Sequence, residues 1–269
     1  CQFVPHLLFV DSEGNEVDRI IGFLPPTEYL LRLNDIINKR NTLDDYLTRF
    51  EEGEINSDLI AVIATKYEDR KENEKAAEFY SILISNYPDP SSELYQNGKF
   101  FLATYEFVKG NDDALIDYVK NNPGSDYNID AYRKMTRHYA NIEEREKELE
   151  AYKEMLSMFP DDPGVLNSYA WRMAEIETNL DDALIKIRKA VAISAADPDQ
   201  QAGIIDTEAE VLWKLKRYDE AIETIEKSIS IDPENQYFKV EFFGIPVAEV
   251  KLDISDTIYN NQTSKLITV

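Results

Sequence analysis

Five prolines recur at a nearly constant spacing through the central part of this chain of 269 residues. They are separated by 35, 37, 38 and 35 residues, and each follows an apolar stretch with helical periodicity. Because proline cannot continue a helix, each one marks the end of a helical segment. One helix hairpin cannot bury its apolar face alone, so the spacing predicts a stack of similar hairpins. The prolines are Pro88, Pro123, Pro160, Pro198 and Pro233.

Small residues lie inside the first helix of several of these repeats. Ala64, Ala170 and Ala209 would let a partner helix approach closely, while large apolar neighbours fill the remaining space. On this pattern residues 55–235 resemble tetratricopeptide repeats, whose period is about 34 residues. The resemblance implies a mainly α fold, an α-solenoid of about five TPR-like helix hairpins. The segment 91–123 fits least well because its second helix is short, and a non-repeating helical bundle is the alternative.

Residues 1–40 have a different pattern, which predicts a strand, a turn, a second strand and a helix. The segment VPHLLFVDSEGNEVDRIIGFLPPTEYLLRL resembles the C-terminal half of a thioredoxin-fold domain. In that comparison Pro5 matches the cis-proline, Gly14 the turn glycine and Gly22 the glycine that ends the second strand. The half that carries the Cys-x-x-Cys pair is absent, and Cys1 alone cannot form a dithiol. The alternative is a β-hairpin and helix cap of other origin.

Two further segments complete the predicted organisation. Residues 41–54 predict a connecting helix between the N-terminal element and the repeats. Residues 236–269 form a tail in which Val250, Leu252 and Ile254 alternate with charged residues, a strand pattern. Such a strand would pair with one of the N-terminal strands or with another chain, and an irregular tail is the alternative.

Charge and composition restrict the chemistry available to the chain. The formal net charge is −23 and the isoelectric point is about 4.4, which disfavours nucleic acid as a partner. No apolar run is long enough for a membrane span. One cysteine and two histidines cannot form a disulfide or a structural zinc site, and no Gly-rich phosphate loop is present. We therefore expect no cofactor, no metal and no catalytic residue in this chain.

In tetratricopeptide arrays the first helices line a concave groove, and the resemblance implies which side chains would face it. Arg133 and Arg137 are four residues apart, so they share a helix face and could bind a carboxylate. Trp171 and Trp213 would supply apolar contact area. In the alternative, the arginines pair with neighbouring acids and the tryptophans only pack. The predicted groove residues are Arg133, Arg137, Asn167, Trp171, Asp206, Glu210, Trp213 and Lys214.

These observations favour a non-enzymatic scaffold that binds a protein or peptide segment. The alternative is a thioredoxin-like thiol-disulfide oxidoreductase whose catalytic half is not in this chain and whose repeats recruit clients. A self-assembling structural protein, in which exposed strand edges or the groove bind another copy, is a third reading. The sequence leaves both a cytoplasmic and a periplasmic location open.

Overall fold

The computed structural model describes residues 5–231 of the chain. Within them, two strands precede twelve α-helices, so the predicted mainly α fold is confirmed. The strands are β1 (His6–Val10) and β2 (Glu16–Ile21), followed by α1 (Pro26–Ile37) and α2 (Leu43–Glu51). Five helix pairs follow: α3 (Ser57–Asp69) and α4 (Asn73–Asn86); α5 (Glu93–Val108) and α6 (Asp113–Asn121); α7 (Asn128–Asn141) and α8 (Arg145–Met158); α9 (Pro163–Glu175) and α10 (Leu180–Ile193); α11 (Pro198–Lys214) and α12 (Tyr218–Ile231).

The chain divides into two compact units, Cys1–Ala151 and Tyr152–Val269, here called unit 1 and unit 2. In unit 1, α3 packs against α4 and α5 against α6, and α3 also contacts α5. In unit 2, α9 packs against α10 and α11 against α12, and α9 also contacts α11. Contact between the first helices of successive pairs is what a stack of hairpins requires.

The first helix of every pair ends in the same backbone motif. The residue after the helix cap has a positive φ, its N–H donates to the carbonyl three residues earlier, and the next N–H donates five residues back. This is a Schellman ending, which satisfies two of the free carbonyls at a helix C-terminus. Only one of the five left-handed positions is a glycine, so a search for glycine would miss the others. The positions are Lys71, Gly110, Glu143, Glu177 and Lys216.

The N-terminal hairpin is held against the first repeat by charged groups within unit 1. Asp18 on β2 is buried, and its carboxylate accepts hydrogen bonds from Lys66 Nζ on α3 at 2.9 and 3.1 Å and from the Arg32 guanidinium on α1. The Arg19 guanidinium donates to the carbonyl of Asp69 at 2.6 Å, and Arg70 forms an ion pair with Glu16. A network of ion pairs and hydrogen bonds thus joins the hairpin to α3.

The order strand, turn, strand, helix agrees with the N-terminal prediction. Gly14 in the turn and Gly22 after β2 both have positive φ, which glycine adopts at little cost. Pro5 is exposed, and its carbonyl accepts a hydrogen bond from the Gly22 N–H at 2.9 Å. The peptide bond that precedes Pro5 involves Val4, which lies outside the described residues, so the cis-proline stays a prediction. The predicted tail strand near Val250 also lies outside them.

Candidate functional site

The first helices α9 and α11 of unit 2 carry six of the eight predicted groove residues. Both helices begin with the same pair, an aspartate cap followed by proline. The Asp162 side chain accepts from the Val165 N–H, and the Asp197 side chain accepts from the Gln200 N–H. A capping carboxylate and a proline at the first helical position both favour helix initiation. The two helices thus begin alike but differ in length, with 13 residues in α9 and 17 in α11.

The registers place the core residues and the predicted groove residues on different sides of each helix. Leu166 and Ala170 on α9 and Ala209 and Leu212 on α11 are buried. The predicted groove residues on these helices are all of intermediate exposure. We call them the first-helix face of unit 2. It comprises Asn167, Trp171, Asp206, Glu210, Trp213 and Lys214.

The surroundings of Glu210 on this face disfavour its charged form. Burial raises the pKa of the Glu210 carboxyl, and the nearby negative charge of Glu177 acts in the same direction, whereas Lys214 opposes it. Lys214 Nζ lies 3.9 Å from the Glu210 carboxylate but 3.1 Å from that of Glu177. Lys214 is therefore shared between two carboxylates. Its positive charge offsets the negative charge of Glu210 only in part. Sequence reasoning missed Glu177, which follows α9 and lies far from Lys214 along the chain.

Asn167 contributes a poorly satisfied acceptor. Its Oδ1 atom is buried and has no hydrogen-bond partner among the described residues. A buried amide oxygen without a donor costs about 1–3 kcal/mol, so such an atom is unusual in a folded protein. Asn167 lies one helical turn before Trp171, on the same helix that contacts α11.

The two tryptophans differ in their surroundings. The Trp213 ring packs against Tyr218 at the start of α12, with ring centroids 4.8 Å apart. This contact supports the packing role that was the alternative for Trp213. Trp171 is half-buried on α9.

Arg133 and Arg137 lie on α7 in unit 1 and are described apart from the other six residues. Both are exposed. Arg133 Nη1 lies 3.2 Å from Asp130 Oδ1 on the same helix, an exposed pair of the kind that contributes little stability. The alternative that this arginine pairs with a neighbouring acid therefore agrees with the structure.

Residues 5–231 also bear on two other kinds of site. No group of three or more histidine, cysteine, aspartate or glutamate side chains in this range could hold a metal ion. Nor is any helix in the range both long and apolar enough to cross a bilayer.

Comparison with known proteins identifies the repeat. The tetratricopeptide repeat profile matches residues 207–235, which include the end of α11 and all of α12. This segment matches one tetratricopeptide repeat. The five helix pairs of residues 57–231 have the α-solenoid arrangement of TPR-like hairpins that the sequence predicts.

More distant similarities extend over larger parts of the chain. An uncharacterised protein, RP448, of Rickettsia prowazekii (strain Madrid E) is 34% identical over 98 residues, which is 35% of this chain but only 20% of RP448. The structure of BtubC (BKLC) from P. vanneervenii is 14% identical and has a TM-score of 0.51, with 84% of this chain and 93% of BtubC covered. The structure of YrrB, described as a TPR protein with an unusual peptide-binding site, is 16% identical with a TM-score of 0.45 over 72% of this chain and 95% of YrrB.

The raised pKa of Glu210 leads to a prediction about stability and pH. The folded protein disfavours the ionised carboxyl, so the pKa of Glu210 is higher in the folded than in the unfolded state. The free energy of unfolding of the wild type therefore falls as pH rises from the lower of these pKa values to the higher. We expect Glu210→Gln to gain stability relative to the wild type as pH rises from 4 to 7, measured by urea unfolding at several pH values. Glu223→Gln, an equal charge change on exposed α12, should show no such trend. The prediction would be contradicted if the wild type became more stable relative to Glu210→Gln as pH rises.

Proposed function

We propose that this chain is a non-enzymatic protein-interaction scaffold and that the first-helix face of unit 2 binds a peptide segment of a partner. The observation that carries the proposal is that neighbouring helices hold an amide oxygen without a hydrogen bond and a carboxyl whose charged form is disfavoured. Asn167 on α9 has a buried oxygen without a hydrogen bond, and Glu210 on α11 has a carboxyl whose burial raises its pKa. A ligand that donates a hydrogen bond to each group would satisfy the Asn167 oxygen and would offset the cost of burying the charge of Glu210.

The chemistry of these acceptors indicates a peptide with basic side chains. An N–H donor, from a peptide backbone or a lysine, fits the Asn167 oxygen. A cation near Glu210 would favour its ionised form, because Lys214 is shared with Glu177. Half-buried Trp171 offers apolar area beside Asn167 for the stem of a long side chain. Since the helices already position these groups, little ordering of the scaffold is required on binding.

Unit 1 supports a separate proposal for acidic ligands. Arg137 is exposed on α7 and has no ion pair among the described residues, while Arg133 is engaged by Asp130. A peptide carboxylate could bind Arg137 directly and compete with Asp130 for Arg133.

Labelled peptides of equal length, one rich in lysine and leucine and one rich in glutamate and leucine, test both surfaces by fluorescence anisotropy. We expect Asn167→Ala and Glu210→Gln each to weaken binding of the lysine peptide by about tenfold, the effect of losing one hydrogen bond to a charged group. The glutamate peptide should respond instead to Arg133→Ala combined with Arg137→Ala.

The matched control separates a local site from general attraction to an acidic protein. Glu223→Gln removes the same charge from exposed α12. Equal losses of lysine-peptide binding in Glu210→Gln and Glu223→Gln would mean that net charge, not this face, attracts the peptide. The proposal would then be wrong even though the peptide binds.

The alternative function is a thioredoxin-like thiol-disulfide oxidoreductase whose repeats recruit clients. The order of β1, β2 and α1, with Pro5 before β1, supports it. Its catalytic dithiol would have to come from a segment that precedes Cys1 in a longer protein. The discriminating observation is whether the gene encodes a strand followed by Cys-x-x-Cys upstream of Cys1.

A further inference from the structure

β1 is an edge strand with an unusually apolar surface. Within residues 5–231 it pairs only with β2, and its other edge meets no strand. Leu7, Leu8 and Val10 are all exposed, with Leu8 at 58%. Natural edge strands are usually protected by lysine, proline or a bulge. Here the register irregularity lies between Phe9 and Val10, at the end of the strand, and no carboxylate or ammonium lies within it.

The register determines which backbone groups point away from β2. The Gly22 N–H donates to the Pro5 carbonyl, and the pairs Leu7 with Ile20 and Phe9 with Asp18 follow at two-residue intervals. In an antiparallel ladder, hydrogen-bonded pairs alternate with non-hydrogen-bonded pairs. The N–H and C=O groups of Leu7 and Phe9 therefore face β2, whereas those of His6 and Leu8 face the open edge.

This open edge is complementary to itself. In an antiparallel pairing of two β1 strands centred on Leu8, the outward groups of Leu8 bond to those of Leu8 in the other copy, and His6 lies opposite Val10. Leu7 then lies beside Phe9 of the other strand, an apolar cross-strand contact. His6 at one end comes near Asp11, the residue that follows Val10, at the other, so no like charges face each other along the strand.

We propose that β1 is a homodimerisation strand, and that two copies join through it into a four-stranded sheet in the order β2, β1, β1, β2. The contact is isologous, so it closes on itself and leaves no open β1 edge. Repulsion between two chains of net charge −23 weakens this contact, and salt screens the repulsion. The dimer should therefore strengthen as salt rises.

Sedimentation velocity of the full chain at several concentrations tests the proposal, with Leu8→Lys as the disrupting variant. Two lysines would then face each other across the symmetry axis, and we expect the dimer dissociation constant to rise at least tenfold. The control is Leu30→Lys, which introduces the same charge at an equally exposed leucine on α1, at 63%. It should leave the dimer essentially intact.

Hydrogen exchange of individual amides provides a second readout. In the wild-type dimer we expect protection at His6, Leu7, Leu8 and Phe9. In Leu8→Lys the amides of residues 6 and 8 should lose protection, while those of Leu7 and Phe9 keep it because β1 still pairs with β2. Retained protection at those two residues also shows that the hairpin remains folded.

Several outcomes would overturn the proposal. The proposal is wrong if the wild type is monomeric at every concentration. This holds whether its edge amides are unprotected or are protected by another segment. A dimer that survives Leu8→Lys uses a different surface. Equal weakening by Leu8→Lys and Leu30→Lys would indicate non-specific association between apolar patches.

Discussion

Replacing Asp18 with alanine should lower the free energy of unfolding by about 3 kcal/mol, the usual cost of removing one partner from a buried ion pair. The Asp18 residue is 1% exposed, and its carboxylate binds both Lys66 and Arg32. Burial lowers the pKa of the Lys66 ammonium to about 8, which shows how poorly this site solvates a positive charge. Without Asp18, two cations from α1 and α3 would remain close together beneath the hairpin, with no carboxylate between them.

Urea unfolding of the full chain, followed by circular dichroism, measures this loss. Glu13→Ala removes an exposed carboxylate from the same hairpin and should change stability by less than about 0.5 kcal/mol. The double variant Asp18→Ala with Lys66→Met should be less destabilised than the sum of the single variants, because it no longer leaves Lys66 uncompensated. A loss under about 1 kcal/mol in Asp18→Ala would mean that the network does not hold the hairpin against α3.

The sequence predicted the helix pairs because their signals are local. A proline, a capping aspartate and apolar residues at helical spacing act within one or two turns, so the segment from Asp162 to Glu175 can be read without knowledge of the rest. The Schellman endings escaped prediction because the left-handed position is lysine or glutamate in four of five cases. These residues adopt positive φ only when the surrounding packing fixes the turn.

In the candidate site, too, the sequence predicts contacts within one helix but not contacts between separate elements. Helical spacing alone places Asn167 with Trp171, and the pairing of Arg133 with Asp130 follows from a separation of three residues. Lys214 contacts Glu177, which lies 37 positions away in the sequence. Lys66 contacts Asp18, which lies 48 positions away. No periodic pattern encodes such contacts, because they depend on how separate elements pack.

The second hairpin shows how a poor match to the repeat pattern can still give a well-packed unit. Its second helix, α6, has nine residues, as the sequence suggested, but its first helix, α5, has 16. Aromatic side chains make many of its contacts with the neighbouring repeats. Phe101 packs against Tyr80 with ring centroids 4.6 Å apart, and Phe100 stacks on Tyr127 at 4.8 Å.

Phe107 near the end of α5 is the residue of this hairpin whose removal should cost most. The residue is 1% exposed, and its ring contacts His138 at a centroid distance of 4.9 Å and Tyr139 at 6.0 Å, both in edge-to-face geometry. Truncation to alanine would leave a cavity between α5 and α7 that rigid neighbouring rings cannot close. We expect Phe107→Ala to lose about 3–5 kcal/mol in urea unfolding, the range for deleting a buried phenylalanine side chain.

The next residue supplies the matched control, because it lies on the same turn of α5 but points away from the core. Val108 is 72% exposed, so Val108→Ala removes apolar atoms that were never buried and should change stability by less than about 0.5 kcal/mol. The contrast between adjacent positions tests the register of α5 directly. A similar loss in both variants would place the helix in a different register. A small loss in Phe107→Ala alone would mean that α7 can move to fill the space, and that contact between these first helices contributes little to the stability of unit 1.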